Sequence, residues 1–186
     1  LLAGSRRSEV RDILPPMLKA VRHFPDYQFV LAGVRNLPDE LYLRLIGDYP
    51  VKVVKDKTYE ILYISEAALV KSGTATLETA LFGVPEVVCF KGDFISMVIA
   101  WIVVKVKYIS LVNLIAGYEA VKELIQYSLN EKNLVGELKA ILPGGSKREK
   151  ILVDYKKIRE ILGPAGASER VAEDMVNVLR HDGVKV

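Results

Sequence analysis

At 186 residues and 51% apolar composition, the chain suits one domain with a sizeable core. Its 26 basic and 23 acidic residues leave a net charge of +3, a balance too mild and too scattered to mark a nucleic-acid-binding surface. The single cysteine, Cys89, excludes an internal disulfide and fits a reduced, cytoplasmic setting.

Taken in chain order, strand and helix signals alternate. Leu1–Ala3 reads as the tail of a strand running into a loop. With no initiator methionine and no signal-peptide layout, a further N-terminal portion is expected ahead of it. Glu9–Phe24 predicts a helix, with Ser8 as N-cap and a kink at Pro15-Pro16, where proline removes a helix hydrogen bond. Gln28–Gly33 predicts a short strand, Asp39–Ile46 a helix and Val51–Val54 a strand. Tyr59–Ile64 predicts a short helix and Ala67–Val70 a strand. Thr74–Phe82 predicts a helix stopped by Gly83, and Glu86–Phe90 a buried strand in which Cys89 reads as a structural thiol rather than a nucleophile. Three helical patterns close the chain, divided by the Pro143-Gly144-Gly145 turn and the Gly163–Gly166 break. The clearest has Ile151, Tyr155, Ile158 and Leu162 on one helical face.

Five short strands with intervening helices imply an α/β fold, a Rossmann-like parallel sheet flanked by helices. Residues 1–142 are expected to form this unit, and residues 143–186 to pack as helices on it or on a domain outside the sequence. In such sheets ligands bind beyond the carboxyl ends of the strands. Two junctions there carry similar chemistry. Gly4-Ser5-Arg6 follows the first strand, and Ser72-Gly73-Thr74-Ala75-Thr76-Leu77-Glu78 follows the Ala67–Val70 strand. Each offers a small-residue turn, a hydroxyl and unpartnered N–H groups at a helix N-terminus, a combination that binds phosphate. Arg6 adds a permanently charged fork suited to a diphosphate. The alternative is that Ser and Thr merely cap the helices. Glu78, one turn into its helix, is placed either to accept hydrogen bonds from a ribose diol or simply to sit at a favourable helix end.

Other chemistries lack their signatures. There is no Gly-x-Gly-x-x-Gly fingerprint, no P-loop and no nucleophile elbow, and His23 and His181 stand alone without metal-ligand spacing. Phe94 to Val104 has one polar residue in eleven and is flanked by Lys91, Lys105 and Lys107. It is too short to span a bilayer. It reads either as an interior helix or as an interfacial one, with Phe94, Ile95, Trp101 and Lys105 meeting anionic lipid.

Three blocks in order resemble lipid-A-disaccharide synthases. They are Gly4-Ser5-Arg6-Arg7-Ser8-Glu9-Val10; Ser72 to Glu78 followed by Gly83-Val84-Pro85; and Tyr108 through Asn113 and Gly117 to Glu123-Leu124-Ile125-Gln126. The similarity runs from residue 1 to about residue 142. Ala3 and Val112 replace prolines usual in the family, Glu86 an apolar residue, and Tyr118 an arginine.

The resemblance implies the C-terminal half of a GT-B fold, holding a UDP-sugar with Gly4, Ser5, Arg6, Ser72, Gly73, Thr74, Ala75, Glu78, Asn113 and Gln126. Asn113 and Gln126 are alternatively helix-terminal caps. The implied reaction joins UDP-2,3-diacylglucosamine to 2,3-diacylglucosamine 1-phosphate as an inverted β-1,6 disaccharide, releasing UDP. Arg6 would stabilise the leaving diphosphate, and the base would come from the missing N-terminal domain. No Asp-x-Asp motif is present, and neither a cofactor nor a metal is implied. The place of work would be the cytoplasmic face of the inner membrane, peripherally bound, and this piece alone is expected to be inactive. The rival readings are another GT-B protein, such as the UDP-GlcNAc transferase of peptidoglycan synthesis or a UDP-sugar epimerase, and a non-catalytic nucleotide- or lipid-binding module. The Asn113–Gln126 block argues against the former. A second Rossmann-like domain upstream would argue against the latter.

Overall fold

Backbone pairing of short apolar strands sets the architecture. The computed structural model describes residues 1–92, 107–164 and 166–181. Strands β1 (Phe29–Gly33) and β2 (Val51–Lys55) pair in parallel, with Leu31 opposite Val53. Strands β3 (Ala68–Lys71), β4 (Glu86–Phe90) and β5 (Lys122–Ile125) form a second parallel set, with Val70 opposite Val88 and Cys89 opposite Leu124. Residues 1–3 join the two. The Leu1 nitrogen donates to the Val30 carbonyl at 2.7 Å, and Ala32 N–H donates to the Leu1 carbonyl at 3.0 Å. On the other edge Leu2 N–H donates to Leu69 O at 2.9 Å and Lys71 N–H to Leu2 O at 2.8 Å. Leu2 thus bridges Val70 in parallel.

Counted along the chain with residues 1–3 first, the strands lie in the order 3-2-1-4-5-6, the doubly wound pattern. This is the α/β, Rossmann-like parallel sheet that the strand and helix signals predict, consistent with the half of a GT-B fold that the resemblance implies. Helices α1 (Arg7–Val21), α2 (Asp39–Ile46), α3 (Thr58–Tyr63) and α4 (Thr74–Leu81) make the crossovers through β4. Then come α5 (Leu111–Ala116), α6 (Glu131–Ile141), α7 (Arg148–Leu162) and α8 (Ala167–His181).

Alternation along the strands divides the apolar residues between two faces. Leu1, Leu31 and Leu69 join the main core with Ile13, Leu14 and Met17 of α1 and Leu134, Leu138 and Ile141 of α6. Leu2, Ala32, Ala68 and Val70 face the other way, onto Ile61 and Leu62 of α3. Burying each large aliphatic side chain of this kind contributes about 1.5–3 kcal/mol. Ile151, Tyr155 and Ile158 of α7 enter the main core, so that helix packs on the sheet unit, whereas Leu162 at its end is exposed. Helix α8 leaves Val171, Met175 and Val178 exposed.

Two readings of the sequence are revised. Helix α1 begins at Arg7, with Arg6 rather than Ser8 in the capping position, and it continues through Pro15 and Pro16. Strand β5, Lys-Glu-Leu-Ile, was not foreseen. It is four residues long and carries two charges, which an edge strand tolerates because one of its sides is unpaired among the described residues.

Glu86 opens β4 with no solvent exposure. The Tyr155 hydroxyl donates to its Oε1 at 3.4 Å, while Oε2 has no partner among the described residues. Burial pushes this carboxyl well above the usual glutamate range, and the Tyr155 bond opposes the shift only in part. Glu86 therefore holds its proton to higher pH in the fold than in the unfolded chain, and between the two ionisations folding takes up a proton. Stability should fall as pH rises above the ordinary glutamate range, by about 1.4 kcal/mol per pH unit until the folded group itself ionises. Glu86→Gln removes that dependence. In denaturant unfolding from pH 5 to 8, the variant should gain steadily on the wild type. Parallel profiles would mean that Glu86 is charged in the fold.

Candidate functional site

The strand order reverses between residues 1–3 and β3, and the loops leaving those two strands turn to opposite sides. A doubly wound sheet has its ligand crevice at such a point. Here a cleft of about 320 Å³ opens beyond the strand ends. Its floor is Leu2, Ala32 and Val34; one wall is Gly4–Arg6 with Glu9, and the other is Lys71–Ala75 with Glu78. The topology thus brings together Gly4, Ser5, Arg6, Ser72, Gly73, Thr74, Ala75 and Glu78 from the two sequence blocks.

The first wall is closed by Glu9, in the first turn of α1. Its Oε2 accepts Ser5 N–H at 3.0 Å and Arg6 N–H at 3.3 Å. The donors expected to be free at this turn are therefore already used by a carboxylate of the chain itself. Gly4 makes this approach possible. Its φ is +105°, and a Cβ there would fall 2.6 Å from Glu9 Oε2. Lys71 Nζ lies 3.0 Å from Glu9 Oε1, and the Arg6 guanidinium 3.7 Å from the same oxygen. Partial burial works against the charge on Glu9. The Lys71 ammonium and the two amides outweigh it, and the carboxyl is held below the ordinary glutamate range. The Arg6 side chain is 81% exposed and free to reach a ligand.

The second wall keeps its donors. Ser72 is tied down at both ends, its N–H on Cys89 O at 2.9 Å and its hydroxyl donating to Ile109 O at 2.8 Å. The N–H groups of Gly73, Thr74 and Ala75 have no partner among the described residues. They stand at the positive end of α4, pointing to the requirements of an anion. Glu78 borders the same space. Among the described residues its carboxylate is engaged only by the Tyr59 hydroxyl at 3.5 Å, the long limit of a hydrogen bond.

Comparison with known proteins places the chain in a family. The sequence profile of the family described as lipid-A-disaccharide synthetase matches residues 1–174. The chain belongs to that family. Among curated relatives, lipid-A-disaccharide synthase of Anaeromyxobacter dehalogenans (strain 2CP-C) is 37% identical over 187 residues, covering 97% of this chain and 49% of the relative. That of Syntrophus aciditrophicus is 39% identical over 180 residues, covering 92% and 47%. That of Geobacter sulfurreducens is 31% identical over 185 residues, covering 96% and 48%. The chain spans about half the length of these relatives.

The third block that resembles the family has a different position from the other two. Asn113 is fully buried, and its amide is saturated. Nδ2 donates to Val121 O and to Glu123 Oε1, both at 2.9 Å, and Oδ1 accepts Ala120 N–H at 2.8 Å and Val121 N–H at 3.0 Å. The expectation that Asn113 touches a nucleotide is therefore corrected: it has no donor or acceptor left to offer. Ser110, not Asn113, caps α5. Glu123 also accepts Ile109 N–H and the Ser110 hydroxyl. Since Ile109 O receives the Ser72 hydroxyl, this network supports the second wall from behind. Gln126, at φ +52°, donates to Gly92 O at 2.7 Å and is not among the described cleft-lining residues. Phe94, Ile95, Trp101 and Lys105 lie outside the described residues. No helix among the described residues is long and apolar enough to cross a membrane.

Sequence reasoning missed Glu9 and Lys71 as cleft residues. Glu9 was within the first block but read only as helix. Lys71 directly precedes Ser72 at a strand's carboxyl end, and that adjacency was the available signal.

Asn113→Ala should destabilise the chain by more than about 2 kcal/mol, because it strands two buried N–H groups at a typical cost of about 1–3 kcal/mol each. Denaturant unfolding measures this. Unchanged stability with lost ligand binding would instead make Asn113 a ligand contact.

Proposed function

We propose that this chain is the UDP-sugar-binding half of a lipid-A-disaccharide synthase, a glycosyltransferase of lipid A biosynthesis. The reaction is transfer from UDP-2,3-diacylglucosamine to 2,3-diacylglucosamine 1-phosphate, with inversion to a β-1,6 link and release of UDP. The observation that carries this reading is the cleft at the switch point, where the unpartnered N–H groups of Gly73, Thr74 and Ala75 face the Arg6 side chain in a chain of this family.

In this reading the diphosphate docks on the amino end of α4, and Arg6 closes over it. Negative charge grows on the outer phosphate as its bond to the sugar breaks. Fixed N–H dipoles and a guanidinium stabilise that charge without reorganising. Ser72, locked to Ile109 and Cys89, holds the turn in place. Glu78 accepts hydrogen bonds from the ribose diol, with Tyr59 steadying its carboxylate. The acceptor site and the base belong to the part of the protein that precedes this half. Both substrates carry acyl chains, so the enzyme works at the cytoplasmic face of the inner membrane, with Phe94, Ile95, Trp101 and Lys105 as its lipid contacts.

Two binding measurements test this reading. Arg6→Ala should weaken UDP about tenfold or more and leave uridine nearly unchanged, since a charge-assisted bond contributes about 1.5–3 kcal/mol. Equal losses for the two ligands would remove Arg6 from the diphosphate. For Glu78, 2′,3′-dideoxy-UDP should bind the wild type more weakly than UDP does, while Glu78→Gln should hardly discriminate between them. The same loss in both proteins would take Glu78 off the ribose.

A further inference from the structure

Lys71 is the last residue of β3, and its backbone is fixed in the sheet by the bond from its N–H to Leu2 O. Its side chain is only 24% exposed and enters the cleft. The ammonium touches Glu9 Oε1 at 3.0 Å, and it lies 4.0 Å from the point where a Cβ on Gly73 would stand. It therefore bridges the two walls, beside the free N–H groups of α4. A lysine ammonium has three N–H donors, and among the described residues Glu9 takes one. Two donors remain unused in a half-buried place.

The charges around it are unbalanced. Glu9 Oε2 is occupied by two backbone amides, and Oε1 faces both Lys71 and Arg6. One carboxylate thus meets two cations and two N–H groups, and the helix end opposite adds further positive potential. With the cleft's other carboxylate, Glu78, one turn further into α4, the positive place is local to the helix end at Gly73–Ala75, where it suits a phosphate.

We propose that Lys71 is a second phosphate-binding cation of this cleft, aimed by Glu9 at the phosphate nearer the amino end of α4. The inference rests on the reading of the cleft as a diphosphate site. Lysine acts here as a point charge on a flexible stem, complementing the planar fork of Arg6 on the opposite wall.

Calorimetric titration of the 186-residue chain with UDP, inorganic pyrophosphate and uridine tests it, with thermal unfolding recorded for each variant. Lys71→Met should bind UDP and pyrophosphate about tenfold more weakly, equivalent to about 1.4 kcal/mol, with uridine unchanged. Lys71→Arg should recover most of the loss, because the charge returns on a stem of similar length. If Lys71→Met binds both anions as tightly as the wild type, the residue is only the partner of Glu9 and the inference is overturned. If the wild type itself binds neither UDP nor pyrophosphate, the diphosphate reading of the cleft falls first and takes this inference with it.

Discussion

The pairing of residues 1–3 between β1 and β3 is the constraint on which the site depends. Four backbone hydrogen bonds, two on each edge, make one sheet out of a pair and a triplet of strands. That insertion reverses the strand order and puts two loops, separated by more than sixty residues of sequence, on either side of one crevice. The apolar alternation of Leu1, Leu2 and Ala3 supports it, since Leu1 and Ala3 enter one core and Leu2 the other. A one-residue slip would turn each of them to the wrong face.

Within the crevice, the two walls are chemically unequal although their sequences look alike. Both are turn-to-helix junctions with glycine and a hydroxyl residue. At the first, Glu9 folds back over Gly4 and takes the N–H groups for itself. At the second, the residue at the same depth in the helix is Thr76, whose hydroxyl donates to the Gly73 carbonyl. A hydroxyl turned back on a carbonyl leaves the preceding N–H groups free, whereas a carboxylate consumes them. The family's two short blocks are therefore an internally capped helix presenting a cation and an uncapped helix presenting its dipole.

The third block is scaffolding. Asn113 and Glu123 together satisfy backbone donors and acceptors from residues 109 to 121, a stretch too irregular to satisfy them through a sheet or a long helix. Through Ile109 the same network reaches Ser72. Its strictness follows from burial, because Ser110, Asn113, Ala120 and Val121 are buried and their polar groups have to find partners within the protein.

The order of strands and helices through β4, and the face of α7 that enters the core, were legible in the amino-acid sequence. Apolar runs ended by glycine, and repeats at helical spacing, are local signals that tertiary packing did not override here. That both loop blocks lie at strand-to-helix turns was legible for the same reason, since turn chemistry is written in neighbouring residues. Strand β5 was not, because Lys122 and Glu123 belong to a strand only by pairing with Val87 and Val88. The tertiary structure alone decided that Glu9 caps its own helix, that Asn113 is saturated inside the fold, and that Lys71 reaches across from β3 to α1. Lys71 meets Glu9 across 62 positions of sequence, whereas Glu9 and Asn113 find their partners within about ten residues of themselves; in all three, distance and burial, rather than residue type, determine whether a polar group is left free to act on a ligand.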